Sequence, residues 1–214
     1  VFFSSCVTKN QLTYINDKKN FNSWSSNKFI VNQNIIESGD ILKITVKTTI
    51  SEAAKVYNKV SESRNDINLM KLDGYIVDDL GFIDFPILGK INCNNISLDS
   101  LAEKIRVKLY SENHLKEPYV DIRRLNSKFT VLGEVRSPGT ISYYENNLNI
   151  LQAIGYAGDL TIDGKRTNVT LIRKINGSEK IYEIDLTSSK FINSSFYQIR
   201  NNDILIINPS FSKV

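Results

Sequence analysis

The chain is predicted to be an α+β protein of two small domains, and three observations carry that expectation. Segments that alternate apolar and polar residues recur along its 214 residues, separated by Gly, Pro and Asn turns. Two segments, 97–109 behind the good N-cap Ser97 and 149–157, instead carry an apolar stripe at helical spacing. Near residues 125–127 the pattern starts afresh, and from there the element order is strand, strand, helix, then three strands, the order of a small β-grasp module.

In the first domain, Ser38-Gly39-Asp40 forms a turn before the apolar-rich strand Ile41-Leu42-Lys43-Ile44-Thr45-Val46. A similar phrase, Asn201-Asn202-Asp203 before Ile204-Leu205-Ile206-Ile207, returns near the end of the chain. Asp40 and Asp203 each follow a residue that tolerates positive φ, so both are expected to bond turn backbone rather than do chemistry. Residues 51–59 fit a short helix, and 60–68 are polar enough for a mobile loop.

The stretch Tyr75-Ile-Val-Asp78-Asp79-Leu-Gly81-Phe-Ile-Asp84-Phe-Pro86-Ile-Leu-Gly89-Lys-Ile91 reads as strand, tight turn, strand. Paired carboxylates can split their pKa values for general acid/base work. Neighbours in an extended chain face opposite sides, however, so Asp78 and Asp79 should not converge and turn capping is the expected role. In the following helix Ser97 is the N-cap, Asp99 suits the first turn, and Leu98, Leu101, Ala102, Ile105 and Leu109 form the core stripe. His114, in the polar segment beyond, has no evident Ser, Cys or Asp partner and is expected to be exposed. Cys93 is expected to be a reduced thiol on a strand or turn, and Tyr119-Val-Asp-Ile-Arg-Arg124 is the strand that closes the domain.

The second domain opens with Phe129-Thr-Val-Leu-Gly133-Glu134-Val135. Pro138-Gly139 fits the central positions of a type II turn into Thr140-Ile-Ser-Tyr143. Ile150, Leu151, Ala153 and Ile154 form the buried side of a short helix that stops at Gly158. A hairpin around Asn176-Gly177 and a last strand at 204–207 complete the unit.

Composition excludes several function classes. A net charge of +4 and a pI near 8.9 arise from scattered Lys and Arg without a basic block, so a dedicated nucleic-acid binder is not expected. Two distant cysteines, a single histidine and no CxxC give no metal site of recognisable spacing, and no cofactor is expected. No apolar run reaches the eighteen or so residues of a membrane-spanning helix. Triplets such as Asn95-Ile-Ser97 are expected by coincidence in so Asn-rich a chain.

Val1-Phe2-Phe3-Ser4-Ser5-Cys6 reads as the end of an apolar signal core followed by small residues and a cysteine. It resembles the lipobox of bacterial lipoproteins, with Phe3 where Leu is usual. The resemblance implies cleavage before Cys6 and acylation of its thiol, hence a precursor longer than this sequence. Residues 8–28 are polar and suit an exposed tether, with Phe21 and Trp24 as docking side chains.

Both halves, in order, resemble the Wza-type outer-membrane polysaccharide export proteins. The first half matches at Ser38-Gly39-Asp40, at Tyr75-x-Val77-Asp78-x-x-Gly81-x-Ile83-x-x-Pro86-x-x-Gly89 and at Ser97-Leu98. The second resembles the soluble-ligand-binding (SLBB) β-grasp domain at Val131-Leu-Gly133-Glu134-Val135-x-x-Pro138-Gly139 and Leu151-x-x-Ile154-x-x-Ala157-Gly158. The resemblance implies a tether over 1–28, an export domain over 29–125 and one SLBB domain over 126–212. It implies a homo-oligomeric ring, often an octamer, that is the periplasmic body of a channel for capsule or exopolysaccharide. It further implies an inner-membrane copolymerase with a kinase-like domain as partner, and an outer-membrane, periplasmic-face location through a lipid on Cys6. Asp40, Tyr75, Asp78, Gly81, Pro86, Gly89, Gly133, Glu134, Pro138, Gly139 and Gly158 are then motif or interface residues. Members usually continue into a C-terminal pore helix; here the sequence ends at Val214, so a longer chain or a separate channel partner is expected. The rival readings are a monomeric carbohydrate- or small-ligand-binding lipoprotein and a glycan-cleaving enzyme. No converging carboxylate pair supports the enzyme, and none is expected.

Overall fold

The computed structural model describes residues 12–17, 35–59, 73–145, 147–175 and 177–210. Cys6, Phe21, Trp24 and the loop expected over 60–68 lie outside the described residues. The chain forms two compact units, Asn34–Asn126 and a second built on Ser127–Val214, to which residues 12–17 belong. Both are α+β.

In the first unit, β1 (Ile41–Lys47) pairs antiparallel with β5 (Tyr119–Arg124), Ile44 opposite Ile122, and with the two-residue strand β2 (Tyr75–Ile76) on its other side. The two-residue period buries Leu42, Ile44, Val46, Val120 and Ile122 on one face and turns Lys43, Thr45, Lys47, Tyr119, Asp121 and Arg123 to the other. Strands β3 (Phe82–Phe85) and β4 (Gly89–Asn92) form a separate hairpin with Ile83 opposite Ile91, both buried. A short helix α1 (Ser51–Ala54) runs into a 3-10 turn that buries Tyr57. The rings of Tyr57 and Tyr75 then flank Phe85 at 6.4 and 5.4 Å. Helix α2 (Leu98–Ser111) starts where Ser97 accepts the Ser100 amide, and lays Leu98, Leu101, Ile105 and Leu109 into this core.

The second unit is a five-stranded mixed sheet in the order β7-β6-β10-β8-β9. Its strands are β6 (Lys128–Gly133), β7 (Gly139–Ser142), β8 (Gly164–Ile175), β9 (Ser178–Ile184) and β10 (Ile204–Pro209). Parallel pairing of β6 with β10 brings the first and last strands together at the centre. Helix α3 (Ile150–Tyr156) buries Ile150, Ala153 and Ile154 beneath it. Its N-terminus carries a full capping box: Asn149 Oδ1 accepts the Gln152 amide, and Gln152 Oε1 accepts the Asn149 amide, both at 3.0 Å.

One device recurs in both units. Gly39 (φ +83°) and Asn202 (φ +64°) turn the chain so that the next aspartate is buried at the start of a central strand. Asp40 Oδ2 accepts the Glu37 amide at 2.9 Å, and Asp203 Oδ2 accepts the Arg200 amide at 2.7 Å. Each also faces a buried arginine on a paired strand. Arg124 Nε lies 2.9 Å from Asp40, and Arg173 grips Asp203 with Nε at 2.9 Å and Nη2 at 2.6 Å. Arg124 Nη2 also reaches the Ile35 carbonyl, and Arg173 reaches the carbonyls of Ser195 and Gln198; Arg124 Nε meets Asp40 as an ion pair without hydrogen-bond alignment. A buried ion pair holds only when its other hydrogen-bonding capacity is also met.

Three expectations are corrected. Pro138-Gly139 is not a type II turn: Gly139 has φ +155° rather than about +80°, and it is already the first residue of β7, opposite Val131. Residues 13–17 are not a free arm. Ile15 and Asn16 donate to the carbonyls of Leu186 and Thr187, and the Asp17 carboxylate accepts the Ser189 amide at 2.7 Å and both serine hydroxyls at 188 and 189. Main-chain bonding, which composition does not display, overrides the polar character of the segment. His114 is half-buried, its ring edge-on to Tyr57 at 6.3 Å and Nε2 3.2 Å from Glu112 Oε2.

Replacing Arg173 by Ala strands the Asp203 carboxylate, and we expect a loss of about 3–5 kcal/mol in urea unfolding. The double change Arg173→Met, Asp203→Leu should recover most of it. Burial pushes the Cys93 thiol up to about 11, the reverse of what a reactive thiolate needs. In a Cys6→Ser protein at pH 8, Cys93 should therefore react with Ellman's reagent only on unfolding.

Candidate functional site

The residues singled out in the sequence fall at three places. At the first, the chain between β2 and β3 folds around one carboxylate. Asp78 Oδ1 accepts the amides of Leu80 and Phe82 at 3.0 and 2.7 Å, while the Gly81 amide donates to the Asp78 carbonyl at 2.9 Å. Gly81 has φ +78°, and the Asn94 side chain lies directly over it, donating to the Leu80 carbonyl at 2.7 Å. Asp79 instead accepts the Ser38 hydroxyl at 3.1 Å, and Asp84 is exposed on β3. The three carboxylates thus have three different surroundings and do not converge. Pro86 begins the second turn, Ile87 is exposed at φ +67°, and Gly89 at φ +69° opens β4. Tyr75 is core: its hydroxyl donates to the Tyr57 carbonyl at 3.3 Å, and burial raises its pKa to about 12.

The second place is the corner where β6 leaves the sheet. Gly133 has φ +88°, and a Cβ there would sit 2.1 Å from the Ile207 carbonyl oxygen. The Glu134 amide then donates to that same oxygen at 2.9 Å, and its carboxylate accepts the Thr161 hydroxyl at 2.7 Å. Gly158, at φ +76°, follows α3 as its left-handed terminator. The amides of Arg136 and Ser137 donate to the carbonyls of Asp159 and Ala157, tying the two loops together. Tyr14 joins here, its hydroxyl on Asp159 Oδ1 at 2.5 Å and its ring over Arg166. Burial, followed by that carboxylate contact, pushes the Tyr14 pKa upward. Pro138 is exposed.

The third place was not singled out by any motif. The outward residues of β1 and β5, Lys43, Thr45, Lys47, Tyr119, Asp121 and Arg123, line an open cleft of about 330 Å³. The signal for it was present as two alternating strands whose polar positions are mostly cationic. Its detection required knowing that β1 and β5 are neighbours, although 71 residues of sequence separate Lys47 and Tyr119.

Among the described residues no three His, Cys, Asp or Glu side chains gather to hold a metal ion, and no helix is long and apolar enough to cross a membrane. Turns closed by Asp78 and Glu134, each with a left-handed glycine at its bend, Gly81 and Gly133, are framework in both units.

Residues 31–124 match the family model described as polysaccharide biosynthesis/export protein, and residues 128–184 match the SLBB domain. The chain thus carries an export domain followed by an SLBB domain, a succession that supports a Wza-type polysaccharide export protein. These are export and binding families, not enzymes. The chain is similar to the EPS I polysaccharide export outer membrane protein EpsA of Ralstonia solanacearum, 23% identical over 184 residues, covering 81% of this chain and 47% of the relative. It therefore spans about half the length of the curated relative it matches.

The glycines separate by what surrounds them. Gly89→Ala has open space and should carry only the ~1–2 kcal/mol of a left-handed backbone. Gly133→Ala must also displace the backbone of β10, so its midpoint in urea should fall well below that of Gly89→Ala. Gly81→Val should lie between them, because Asn94 can swing away at the loss of its bond to Leu80. Equal midpoints for the three variants would contradict this ordering.

Proposed function

We propose that this chain is the periplasmic body of an outer-membrane channel for capsule or exopolysaccharide. The carrying observation is the succession of export domain and SLBB domain along one chain, the same succession that the relative named as an outer-membrane export protein spans with it. We assign the export domain to 29–125 and the SLBB domain to 126–212, with residues 13–17 of the tether bonded to the latter.

In this reading subunits close into a homo-oligomeric ring around a hydrated lumen. Ile76, Leu80 and Ile87 of the first unit are 62, 72 and 60% exposed, as are Ile162 and Ile181 of the second at 74 and 69%, and such side chains suit burial against a neighbouring copy. Passage of a polymer asks for weak contacts spread along its path, since a deep tight site would trap it. A lipid on Cys6 would hold the body at the periplasmic face of the outer membrane, at about 0.8 kcal/mol per buried methylene. An inner-membrane copolymerase would deliver the polymer.

Native mass spectrometry and electron microscopy of the lipidated, full-length protein in mild detergent test this reading. Closed rings are expected. Monomers alone at high concentration, or undiminished polymer on the surface of a producing strain that lacks the protein, would overturn it.

A further inference from the structure

The cleft on the outer face of β1 and β5 has a charge pattern that its own residues leave incomplete. The strand register sets Lys43 directly opposite Arg123, Thr45 opposite Asp121 and Lys47 opposite Tyr119. Two cations facing each other across an antiparallel pair destabilise it. Nothing in the sheet offsets this at Lys43 or Lys47, neither of which has an ion-pair or hydrogen-bond partner among the described residues. The single carboxylate, Asp121, lies against Arg123 Nε at 3.2 Å and leaves the two terminal nitrogens of that guanidinium free to face the cleft. The face therefore presents three cations to one anion, beside a tyrosine ring that is 60% exposed.

These groups are held in place from beneath. Ile44, Val46, Val120 and Ile122 alternate with them and are buried, so backbone spacing fixes where the cations emerge. A strand places its outward residues about 7 Å apart, twice the ~3.4 Å rise. Lys43 and Lys47 thus stand at two points about 13–14 Å apart along one line. Such a line suits an extended anion with charges at intervals, not a compact one such as phosphate. At about 330 Å³ the cleft is at the small end of the ~300–1,000 Å³ of ligand sites and is partly open to solvent. The exposed ring of Tyr119 offers an apolar face against which a pyranose can stack, and Thr45 offers a hydroxyl.

We propose that this face is a binding track for a carboxylated stretch of polysaccharide, with Lys43, Lys47 and Arg123 pairing successive carboxylates and Tyr119 stacking on a sugar ring. The inference rests on the export reading and adds to it the chemical class of the polymer: acidic, with uronic-acid-type carboxylates, rather than neutral. Affinity for a short segment is weak, because every pair is solvent-exposed and screened by salt.

The test uses the 214-residue chain with oligogalacturonate as the acidic probe and a malto-oligosaccharide of equal length as the neutral one, followed by NMR shift perturbation and calorimetry. Oligogalacturonate should bind saturably, at least tenfold more tightly than the neutral probe, with shifts centred on β1 and β5 and affinity falling as salt rises. The double variant Lys43→Gln, Arg123→Gln, both exposed and with no role in the core, should keep or raise its unfolding midpoint and lose at least tenfold in affinity. Tyr119→Ala should weaken both probes alike. Equal affinity for the two probes, no saturable binding at millimolar ligand, or acidic binding unchanged in the double variant would each overturn the proposal. A parallel arm in a producing strain separates it from the reading beneath it. If loss of the protein leaves export intact, the export reading falls; if loss abolishes export while the double variant exports acidic polymer normally, only the track falls.

Discussion

Both units are built around a buried carboxylate gripped by a buried guanidinium. In each, a left-handed residue reverses the chain, the next residue is an aspartate, and that aspartate is locked to an arginine three inward positions along a neighbouring strand. The equivalence extends to the strands themselves: Val120-x-Ile122-x-Arg124 in one and Val169-x-Leu171-x-Arg173 in the other. A charge in such a place is costly unless paired, so the pairing selects one strand register against its neighbours. A slip of one residue would leave both charges unmatched and turn the arginine outward. Burial drives the Asp203 carboxyl toward its neutral form, and the Arg173 guanidinium and Arg200 amide oppose that. The geometry, with two charged contacts and a backbone donor on one carboxylate, is that of an ionised group.

Much of this was legible before any coordinates. Alternation located the strands, since a two-residue period survives wherever one face is buried and the other wet. Ser97 marked the start of the long helix because unsatisfied amides at a helix end need an oxygen at that position. Asp40, Asp78 and Asp203 were readable as turn residues for the same reason. The arginines that complete the two ion pairs were not. An arginine at the end of an alternating strand looks like a surface residue, and only its phase, inward with Val and Ile, hinted otherwise.

Three further things lay beyond sequence reasoning. Pro138-Gly139 carries the composition of a tight turn, yet Gly139 serves as an extended strand opening, so the dipeptide alone did not determine its geometry. The docking of residues 13–17 depends on main-chain bonds to a segment some 170 residues away, which no local pattern encodes. The cationic cleft depends on adjacency of β1 and β5, separated by the whole length of the intervening hairpin and helix. In each case the missing information was long-range pairing, and local propensity was correct wherever local bonding decided the outcome.

The strap formed by Tyr14 to Asp17 has a mechanical consequence. Seven residues, Val7 to Thr13, separate Cys6 from Tyr14, the first strapped position, and an extended chain spans at most about 3.3–3.6 Å per residue. If Cys6 carries the lipid, the leash between bilayer and protein is therefore at most about 26–29 Å long. Its described residues are fastened to the β-grasp unit, at the loops around Asp159 and Ser189. Any pull on the anchor is then borne by the sheet whose centre is pinned by Arg173 and Asp203, with β6 and β10 held side by side.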